Sequence, residues 1–328
     1  MIKTLVSNIK TQNMEFRHRF QSPYVLLTGR NGSGKSGLIH ALELAVFGQV
    51  YDAAGKDIKS KGLVAMLTSN DEPVVAQAMT TDNLRYDFHE TSGPKLLNAM
   101  DLSMKAMTGG TNALSKFLLQ YLEDNMPLSI VYQGWDAQVE RHGGYREALL
   151  RMQEVVGKAL RSHRAKIKEL DIATKYASNK QELIEQRSEA VLHEAQAKDL
   201  DRQIKAEIMR FVREATPHLE KQMESYMPSS MAAPKFHFAG NEVRLGLASG
   251  AIPSGAESVA LAAALAASVL NVENSIFVYP DRAYDAKTLG EMMRVARTFP
   301  AQGVFIQSTV EPEEYDAESM GWHLMDLT

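Results

Sequence analysis

The stretch GRNGSGKS, Gly29–Ser36, has the residue types and spacing that bind the phosphates of a nucleoside triphosphate. Its glycines allow the backbone to wrap around an anion with successive N–H groups pointing inward. A helix predicted to follow presents the positive end of its dipole to the same anion. Lys35 would reach the β- and γ-phosphates, and the Ser36 hydroxyl would bind Mg²⁺. The residues predicted to contact ATP here are Gly29, Asn31, Gly32, Ser33, Gly34, Lys35 and Ser36.

A second chemical feature is Asp281, which follows the apolar run SIFVYP. A carboxylate at the end of a buried strand is suited to hold Mg²⁺, which keeps several of its waters when it binds protein. The next residue is Arg282, whose guanidinium stays protonated and offers no acceptor. Arg282 therefore cannot activate water as a base.

Composition excludes several kinds of site. The chain has 328 residues, a formal net charge of −4 and no cysteine, which excludes disulfides and thiolate zinc sites and fits a reducing, cytoplasmic compartment. We expect association with the nucleoid if the protein is cellular. The longest apolar run, VALAAALAASVL, is too short to span a membrane and predicts a buried helix. Any nucleic-acid contact must come from local basic patches.

The order of the predicted elements indicates an α/β fold in three parts. The first part, residues 1–144, opens with paired strands, and a buried strand at Tyr24–Thr28 leads into the phosphate loop and a helix that ends at Gly48. The third part, residues 223–328, returns to alternating strands and helices, which indicates a parallel sheet.

The second part, residues 145–222, has a helical composition. It has no glycine after Gly157 and no proline before Pro217. One apolar seam follows heptad spacing and consists of Leu149, Val156, Leu160, His163, Ile167 and Leu170. A second apolar stripe consists of Leu200, Ile204, Ile208 and Phe211. These stripes predict an antiparallel helical hairpin with a turn at KYASNKQ; an ordinary helical subdomain is the alternative.

At this point the chain resembles the ABC-type heads of SMC-like ATPases, most closely the SbcC-type subunit of double-strand-break repair nucleases. LVSNIKTQNMEFRHRF resembles that family's opening strands, GRNGSGKSGLIHALELAVFG its phosphate loop, and VYQGWDAQVERHGGYREALLRM its Q-loop. The resemblance covers essentially the whole chain outside the hairpin. It implies a P-loop ABC-type head of two lobes with an inserted short coiled coil. It also implies ATP and Mg²⁺ as ligands, with Gln133 near the metal and the attacking water, and Asp281 in the Walker B position.

The stretch PSGAE, Pro253–Glu257, resembles the signature motif of this family, usually LSGGE or LSGGQ. The resemblance implies that Ser254, Gly255 and Glu257 meet the γ-phosphate held by a second subunit, so that two heads form a homodimer around ATP. A capping box, with Ser254 capping a helix and Glu257 three residues later, explains the same residues without a ligand. Both interpretations can hold together.

Three catalytic or sensing positions depart from the family pattern, in addition to Pro253 and Ala256 in the signature stretch. Arg282 stands where a glutamate activates water, Thr309 where a histidine senses the γ-phosphate, and Asp285 lies closer than the usual D-loop aspartate. Because the residues for ground-state binding are retained, turnover should fall more than affinity. We expect slow or partner-dependent ATP hydrolysis; the alternatives are normal hydrolysis through an unrecognised base and a non-hydrolysing nucleotide-binding scaffold.

The hairpin also departs from the SbcC-type pattern, because it is short and a cysteine zinc hook is excluded. Its length is closer to that of RecF, which adds a DNA-junction loader as an alternative function. The base of the first helix is basic and predicts DNA contacts through Lys158, Arg161, Arg164, Lys166 and Lys168. Charged residues that merely solubilise a coiled coil are the other explanation. In the SbcC-type family a metallophosphoesterase nuclease subunit docks at the coil base, which makes it a possible partner.

Overall fold

The computed structural model describes residues 1–8, 16–51, 57–58, 75–88, 96–110, 112–121, 145–177, 180–270, 274–280, 282, 284–299, 301–311 and 317–327. The chain divides into two compact units. The core unit comprises Met1–Leu114, His218–His237 and Arg244–Thr328, and the helical unit comprises Ser115–Pro217 and Phe238–Val243. The three-part division by sequence position stays a prediction.

The strands are β1 (Ile2–Ser7), β2 (Phe16–Arg19), β3 (Tyr24–Thr28), β4 (Val50–Tyr51), β5 (Asp57–Ile58), β6 (Ala76–Thr80), β7 (Arg85–Asp87), β8 (Leu97–Asn98), β9 (Pro234–Ala239), β10 (Glu242–Leu247), β11 (Ser275–Val278), β12 (Gly303–Gln307) and β13 (His323–Asp326). The helices are α1 (Lys35–Phe47), α2 (Ala99–Thr108), α3 (Ala113–Tyr121), α4 (Tyr145–Tyr176), α5 (Gln181–Glu224), α6 (Gly255–Val269) and α7 (Ala286–Ala296).

A five-stranded parallel sheet forms the centre of the core unit, in the order β13-β3-β12-β11-β8. The strands β3, β11 and β12 are almost entirely buried, as continuous apolar runs in a parallel sheet should be. Strand β12 lies between the strand that precedes the phosphate loop and the strand that precedes Asp281. The predicted α/β fold with a parallel sheet is confirmed.

A four-stranded antiparallel sheet, in the order β2-β1-β6-β7, shares its hydrophobic core with the parallel sheet. The core cluster joins Leu5 and Tyr86 of the antiparallel sheet to Leu27 and Phe305 of the parallel sheet, and Leu42 of α1 belongs to the same cluster. The helix α1 has buried side chains along its length, and the strand β3 is buried in the parallel sheet. The phosphate loop is therefore held between two packed elements.

The helical unit contains the antiparallel pair that the heptad pattern predicts. Arg187 of α5 pairs with Asp171 of α4 at 2.5 Å, and Arg164 pairs with Glu194 at 3.0 Å. His163 and His193 stack with ring centroids 5.6 Å apart. Partners lie farther apart in sequence with distance from the turn, which is the register of an antiparallel hairpin. In the described part of the chain, no helix is both long enough and apolar enough to cross a membrane.

Candidate functional site

The phosphate loop leaves the carboxyl edge of the parallel sheet between two neighbouring strand ends. β3 ends at Thr28, and α1 begins at Lys35. The N–H of Ser308, just after β12, donates to the Leu27 carbonyl at 2.9 Å, and the N–H of Leu327, after β13, donates to the Thr28 carbonyl at 3.0 Å. Ligands of open α/β sheets bind at this edge.

Three glycines of the loop have conformations that other residues adopt rarely, and one of them is Gly32 with φ 86°. Gly29 has φ 138°, and a Cβ there would lie 2.6 Å from Ser33 Oγ and 3.3 Å from the Leu327 carbonyl carbon. Gly34 is the N-cap of α1 with φ 99°. Residues with side chains would therefore strain the backbone at these positions of the loop.

Lys35 carries a buried positive charge whose partners are carbonyl groups. Its side chain is 4% exposed, and its Nζ donates to the carbonyls of Gly29 at 2.6 Å and Arg30 at 3.0 Å. None of the described carboxylates pairs with it. A buried charge without a counter-ion is costly, so this ammonium creates a local demand for an anion.

The first turn of α1 adds further donors at the same place. Gly34 offers no side-chain cap, and the first turn has no acidic residue. Its N–H groups are therefore available to an anion. Ser36 and Asn31 are exposed, and Ser33 Oγ is buried without a hydrogen-bond partner among the described residues. The predicted phosphate-contacting residues are thus brought together, and the Ser36 hydroxyl is accessible to a metal ion.

The strand that precedes Asp281 ends at the same sheet edge. Since β12 alone separates β11 from β3, the two strand axes lie about 10 Å apart, two strand spacings. Beyond β11, the N–H of Tyr279 bonds to Phe305, burial raises the pKa of the Tyr279 hydroxyl, and Arg282 is exposed. Asp281 itself and Gln133 lie outside the described residues.

The end of β12 holds a polar residue that the sequence analysis missed. Gln307 is 4% exposed, and its Oε1 has no hydrogen-bond partner among the described residues. It pairs in register with Leu27, two residues before the phosphate loop. A polar last residue in the otherwise apolar strand GVFIQ was the available signal. Thr309, at the predicted γ-phosphate-sensing position, follows this strand and is exposed.

The PSGAE stretch forms the capping box that the sequence allows. Ser254 Oγ accepts from the Glu257 N–H at 3.3 Å, and the Glu257 carboxylate accepts from the Ser254 N–H at 2.7 Å. The helix that follows is α6, whose alanine-rich body is buried and contacts α2. Ser254 and Gly255 are nevertheless exposed at its start. The capping box therefore fixes the conformation of the PSGAE stretch, while Ser254 and Gly255 stay accessible at its surface.

Among the described residues, none makes a contact that requires glycine at position 255. A Cβ there would meet nothing within 4 Å, and its φ lies outside the left-handed region. Glycine in a helix costs about 0.5 to 1 kcal/mol relative to alanine. The absence of a side chain at this exposed position thus brings no gain in intrachain packing.

Asp285 follows Arg282 closely in sequence, so its carboxylate has to be considered as an alternative base. It is the N-cap of α7. Its carboxylate accepts from the Thr288 N–H at 2.9 Å and from the Thr288 hydroxyl at 2.7 Å. The pKa of Asp285 lies below its usual range, chiefly because of the hydrogen bond from the Thr288 N–H and secondly because of that from the Thr288 hydroxyl. Asp285 is therefore ionised, and its oxygens are engaged in capping.

The predicted basic stripe of α4 is partly neutralised. Lys158 donates to Glu154 at 2.6 Å, and Arg164 donates to Glu194 at 3.0 Å. Hydrogen bonds from Lys158 and Arg151 lower the pKa of Glu154, so the carboxylate keeps its charge. The remaining predicted residues are exposed without a carboxylate partner in the described ranges: Arg161, Lys166 and Lys168.

The sequence and the structure were compared with those of known proteins. A family model described as "AAA domain" matches residues 6–210. Three solved structures match this chain at low sequence identity. RecF bound to ATP, from the RecFOR pathway, is 13% identical, with 96% of this chain and 93% of that chain covered and a TM-score of 0.44. The Smc head domain of Pyrococcus furiosus, with an extended coiled coil bound to the C-terminal domain of ScpA, is 14% identical, with coverages of 94% and 89% and a TM-score of 0.40. A RecF complex described as RecF-ATPrS is 11% identical, with coverages of 96% and 94% and a TM-score of 0.41. The sequence finds no match among curated proteins.

Proposed function

The chain belongs to the AAA domain family, and from that premise we propose that it is an ATP-binding head that dimerises around nucleotide and acts in DNA repair or recombination. Within this role, the hydrolysis of ATP is slow or depends on a partner. More specifically, we propose that the chain has the SbcC-type arrangement, in which a nuclease subunit docks at the base of the coil.

The observation that carries nucleotide binding is the buried ammonium of Lys35. It lies at the uncapped start of α1, and its hydrogen-bond partners among the described residues are the carbonyl oxygens of Gly29 and Arg30. A triphosphate supplies the missing negative charge and accepts from the free N–H groups of the helix. Ser36 would hold Mg²⁺ together with Asp281 and Gln133, and the metal would offset charge on the phosphates.

The surface around PSGAE supports a second copy as the partner of the nucleotide site. Ser254 offers a hydroxyl, and Gly255 leaves its backbone uncovered. Ile252, two residues earlier, is 94% exposed. Full burial of such a side chain stabilises a complex by about 1.5 to 3 kcal/mol. An interface that closes around a triphosphate needs polar groups that bind the phosphate and apolar side chains that become buried between the two copies. This surface has both.

Slow hydrolysis is supported by the state of the nearby polar groups. Arg282 cannot accept a proton, and the carboxylates of Asp285 and Glu257 cap helices. A general base contributes about 10²- to 10⁴-fold to a rate. The same observation favours a second candidate function, a scaffold in which ATP binds without being hydrolysed.

The dimer is tested by measuring the mass of the protein in solution with and without ATP and Mg²⁺. We expect a monomer that doubles in mass with nucleotide, and we expect Ser254→Arg to remain monomeric while still binding ATP. Light scattering at several protein concentrations measures the mass, and equilibrium dialysis measures the bound nucleotide. A mass that stays unchanged when nucleotide is bound would contradict the dimer.

Turnover separates the two candidate functions. Phosphate release that DNA stimulates, and that Lys35→Ala abolishes, supports the ATPase. If the unmodified chain releases phosphate no faster than the Lys35→Ala variant, with and without DNA, the result supports the scaffold. Co-purification of a metallophosphoesterase subunit would favour the SbcC-type form.

A further inference from the structure

The outer face of the antiparallel sheet is basic, although the chain as a whole is acidic. Buried and partly exposed residues alternate along β6, and along β1 from Thr4 onward, after an irregularity between Ile2 and Thr4. The buried hydrophobic residues of both strands pack into the core. Register therefore identifies the outer face. One row across the sheet runs Arg17, Val6, Gln77 and Asp87, and the next runs Arg19, Thr4, Met79 and Arg85. We call these eight residues the outer sheet face.

The arginines of this face are exposed, and two of them have no acidic partner. Arg17 and Arg19 are exposed on β2, and neither pairs with a carboxylate among the described residues. Arg85 is 61% exposed at its side chain and pairs with Asp87 at 2.9 Å. The described residues of the face therefore carry three positive charges and one negative charge.

The middle of the face is uncharged and suited to lie against a polymer. Thr4, Val6, Gln77 and Met79 are partly exposed between the flanking arginines. Arg17 and Arg19 lie about 7 Å apart along β2, and about 14 Å separates β2 from β7. Flanking cations with an uncharged surface between them match a polyanion that crosses the sheet.

The alternative explanation is protection of an edge. β2 is the edge strand of its sheet, and charged side chains on edge strands discourage pairing with other chains. The strand that carries Arg85, β7, is the other edge strand, so edge protection could explain all three arginines. Charge of either sign would protect an edge, however, so this explanation gives no reason why three of the four charges on the face are positive. It also predicts aggregation, and not lost binding, when the arginines are removed.

We propose that the outer sheet face binds the sugar-phosphate backbone of a nucleic acid through Arg17, Arg19 and Arg85. The inference deepens the proposed function, because it assigns the DNA-contacting surface that a role in repair or recombination requires. The basic stripe of α4 is the competing surface, on which Lys158 and Arg164 have carboxylate partners, as Arg85 has on the sheet. The experiment below therefore compares the two surfaces directly.

The expected effect follows from counterion release. Each phosphate contact contributes about 0.9 to the slope of log affinity against log salt concentration on duplex DNA, and about 0.7 on a single strand. The double variant Arg17→Ala/Arg19→Ala should lower the slope by about 1.8 or 1.4, respectively. At about 0.1 M salt this corresponds to roughly 60-fold weaker duplex binding.

The experiment titrates the full chain, without nucleotide, into fluorescein-labelled single-stranded or duplex oligonucleotides over a salt series. Three variants are compared with the unmodified chain: Arg17→Ala/Arg19→Ala, the charge-preserving Arg17→Lys/Arg19→Lys, and Arg161→Ala/Lys168→Ala on α4. ATP binding is measured on every variant, so that loss of the nucleotide site is distinguished from loss of the DNA surface. Polyglutamate serves as a competitor.

The proposal requires that the alanine pair on β2 lose slope on at least one oligonucleotide, while the lysine pair keeps it and ATP binding is unchanged. An unchanged slope for the β2 alanine pair would overturn it. An equal loss from the α4 pair would also overturn it, since net charge would then set the affinity. Displacement by polyglutamate as effective as by unlabelled DNA would overturn it in favour of an acidic protein partner.

Discussion

Replacing Gly255 by alanine separates the stability of a single chain from its association with a second copy. In one chain, the new Cβ meets nothing within 4 Å, and the backbone needs no left-handed conformation. Alanine should therefore raise the free energy of unfolding by about 0.5 to 1 kcal/mol. For a chain of this size we expect the thermal midpoint to rise by roughly 1 to 3 °C.

In the proposed dimer the same methyl group enters both nucleotide sites. Overpacking of a close contact typically costs 1 to 3 kcal/mol at each site, so the dimer should lose about 2 to 6 kcal/mol. The lower value corresponds to roughly 30-fold weaker association with ATP present. Binding of ATP to the single chain should be unchanged, because the phosphate loop of that chain is untouched.

Sedimentation velocity with ATP and Mg²⁺ measures the association, and thermal unfolding without nucleotide measures the stability. Gly157→Ala is the matched control, since a Cβ at that position in α4 also meets nothing within 4 Å. It should stabilise the chain without altering association. A Gly255→Ala chain that dimerises as tightly as the unmodified chain, or that is less stable on its own, would refute this reasoning.

Four further changes have distinct expected outcomes. Lys35→Met should fold but lose the stabilisation that ATP provides, about 2.7 kcal/mol at a hundredfold excess over the dissociation constant, and thermal unfolding with and without ATP checks this. Retained stabilisation would exclude Lys35 as the main phosphate ligand. Arg282→Glu introduces a carboxylate after Asp281 and should raise phosphate release by about 10²- to 10⁴-fold with little change in nucleotide affinity. An unchanged rate would show that the missing base does not limit turnover. Gln307→Leu removes a buried acceptor without a partner and should raise the free energy of urea unfolding by about 1 kcal/mol, whereas a loss of stability would reveal a partner of the amide. Burial lowers the pKa of His40, so stability should fall as pH drops below about 6.5, where the unfolded chain takes up the proton first, and His40→Gln should flatten that decline in urea titrations. A pH profile that His40→Gln leaves unchanged would assign the decline to other histidines.

Local patterns predicted most of the core elements. The phosphate loop, the strand before it and the helix after it are where the glycine spacing and the apolar run indicate, although α1 begins at Lys35, earlier than the apolar pattern alone suggests. The heptad seam predicted the hairpin, with buried Leu149 and Leu170 near its two ends. In each case one face or one buried run sets the local structure, so sequence alone carries the signal.

Other elements depend on partners distant in sequence. β13, HLMD, has neither a long apolar run nor a turn signal, and its pairing with β3 brings together residues about three hundred positions apart. In sequence, Gln307 stands out only as the polar last residue of an apolar run, and the order of the strands is what places it beside the phosphate loop. The stretch that resembles the Q-loop, up to Gly144 and including Gln133, lies outside the described residues.

The capping contacts of Asp285 and Glu257 bear on why we expect nucleotide binding and turnover to separate. Asp285 and Glu257 both accept hydrogen bonds at helix starts, and removing such a cap typically costs about 0.5 to 2 kcal/mol. The lowered pKa of Asp285 also makes it a weaker proton acceptor at neutral pH, because an efficient base has a pKa near the working pH. Using either group as the base would therefore weaken the loop that positions it. A base supplied by a partner avoids this conflict, which makes partner-dependent hydrolysis the form of turnover most consistent with the described residues.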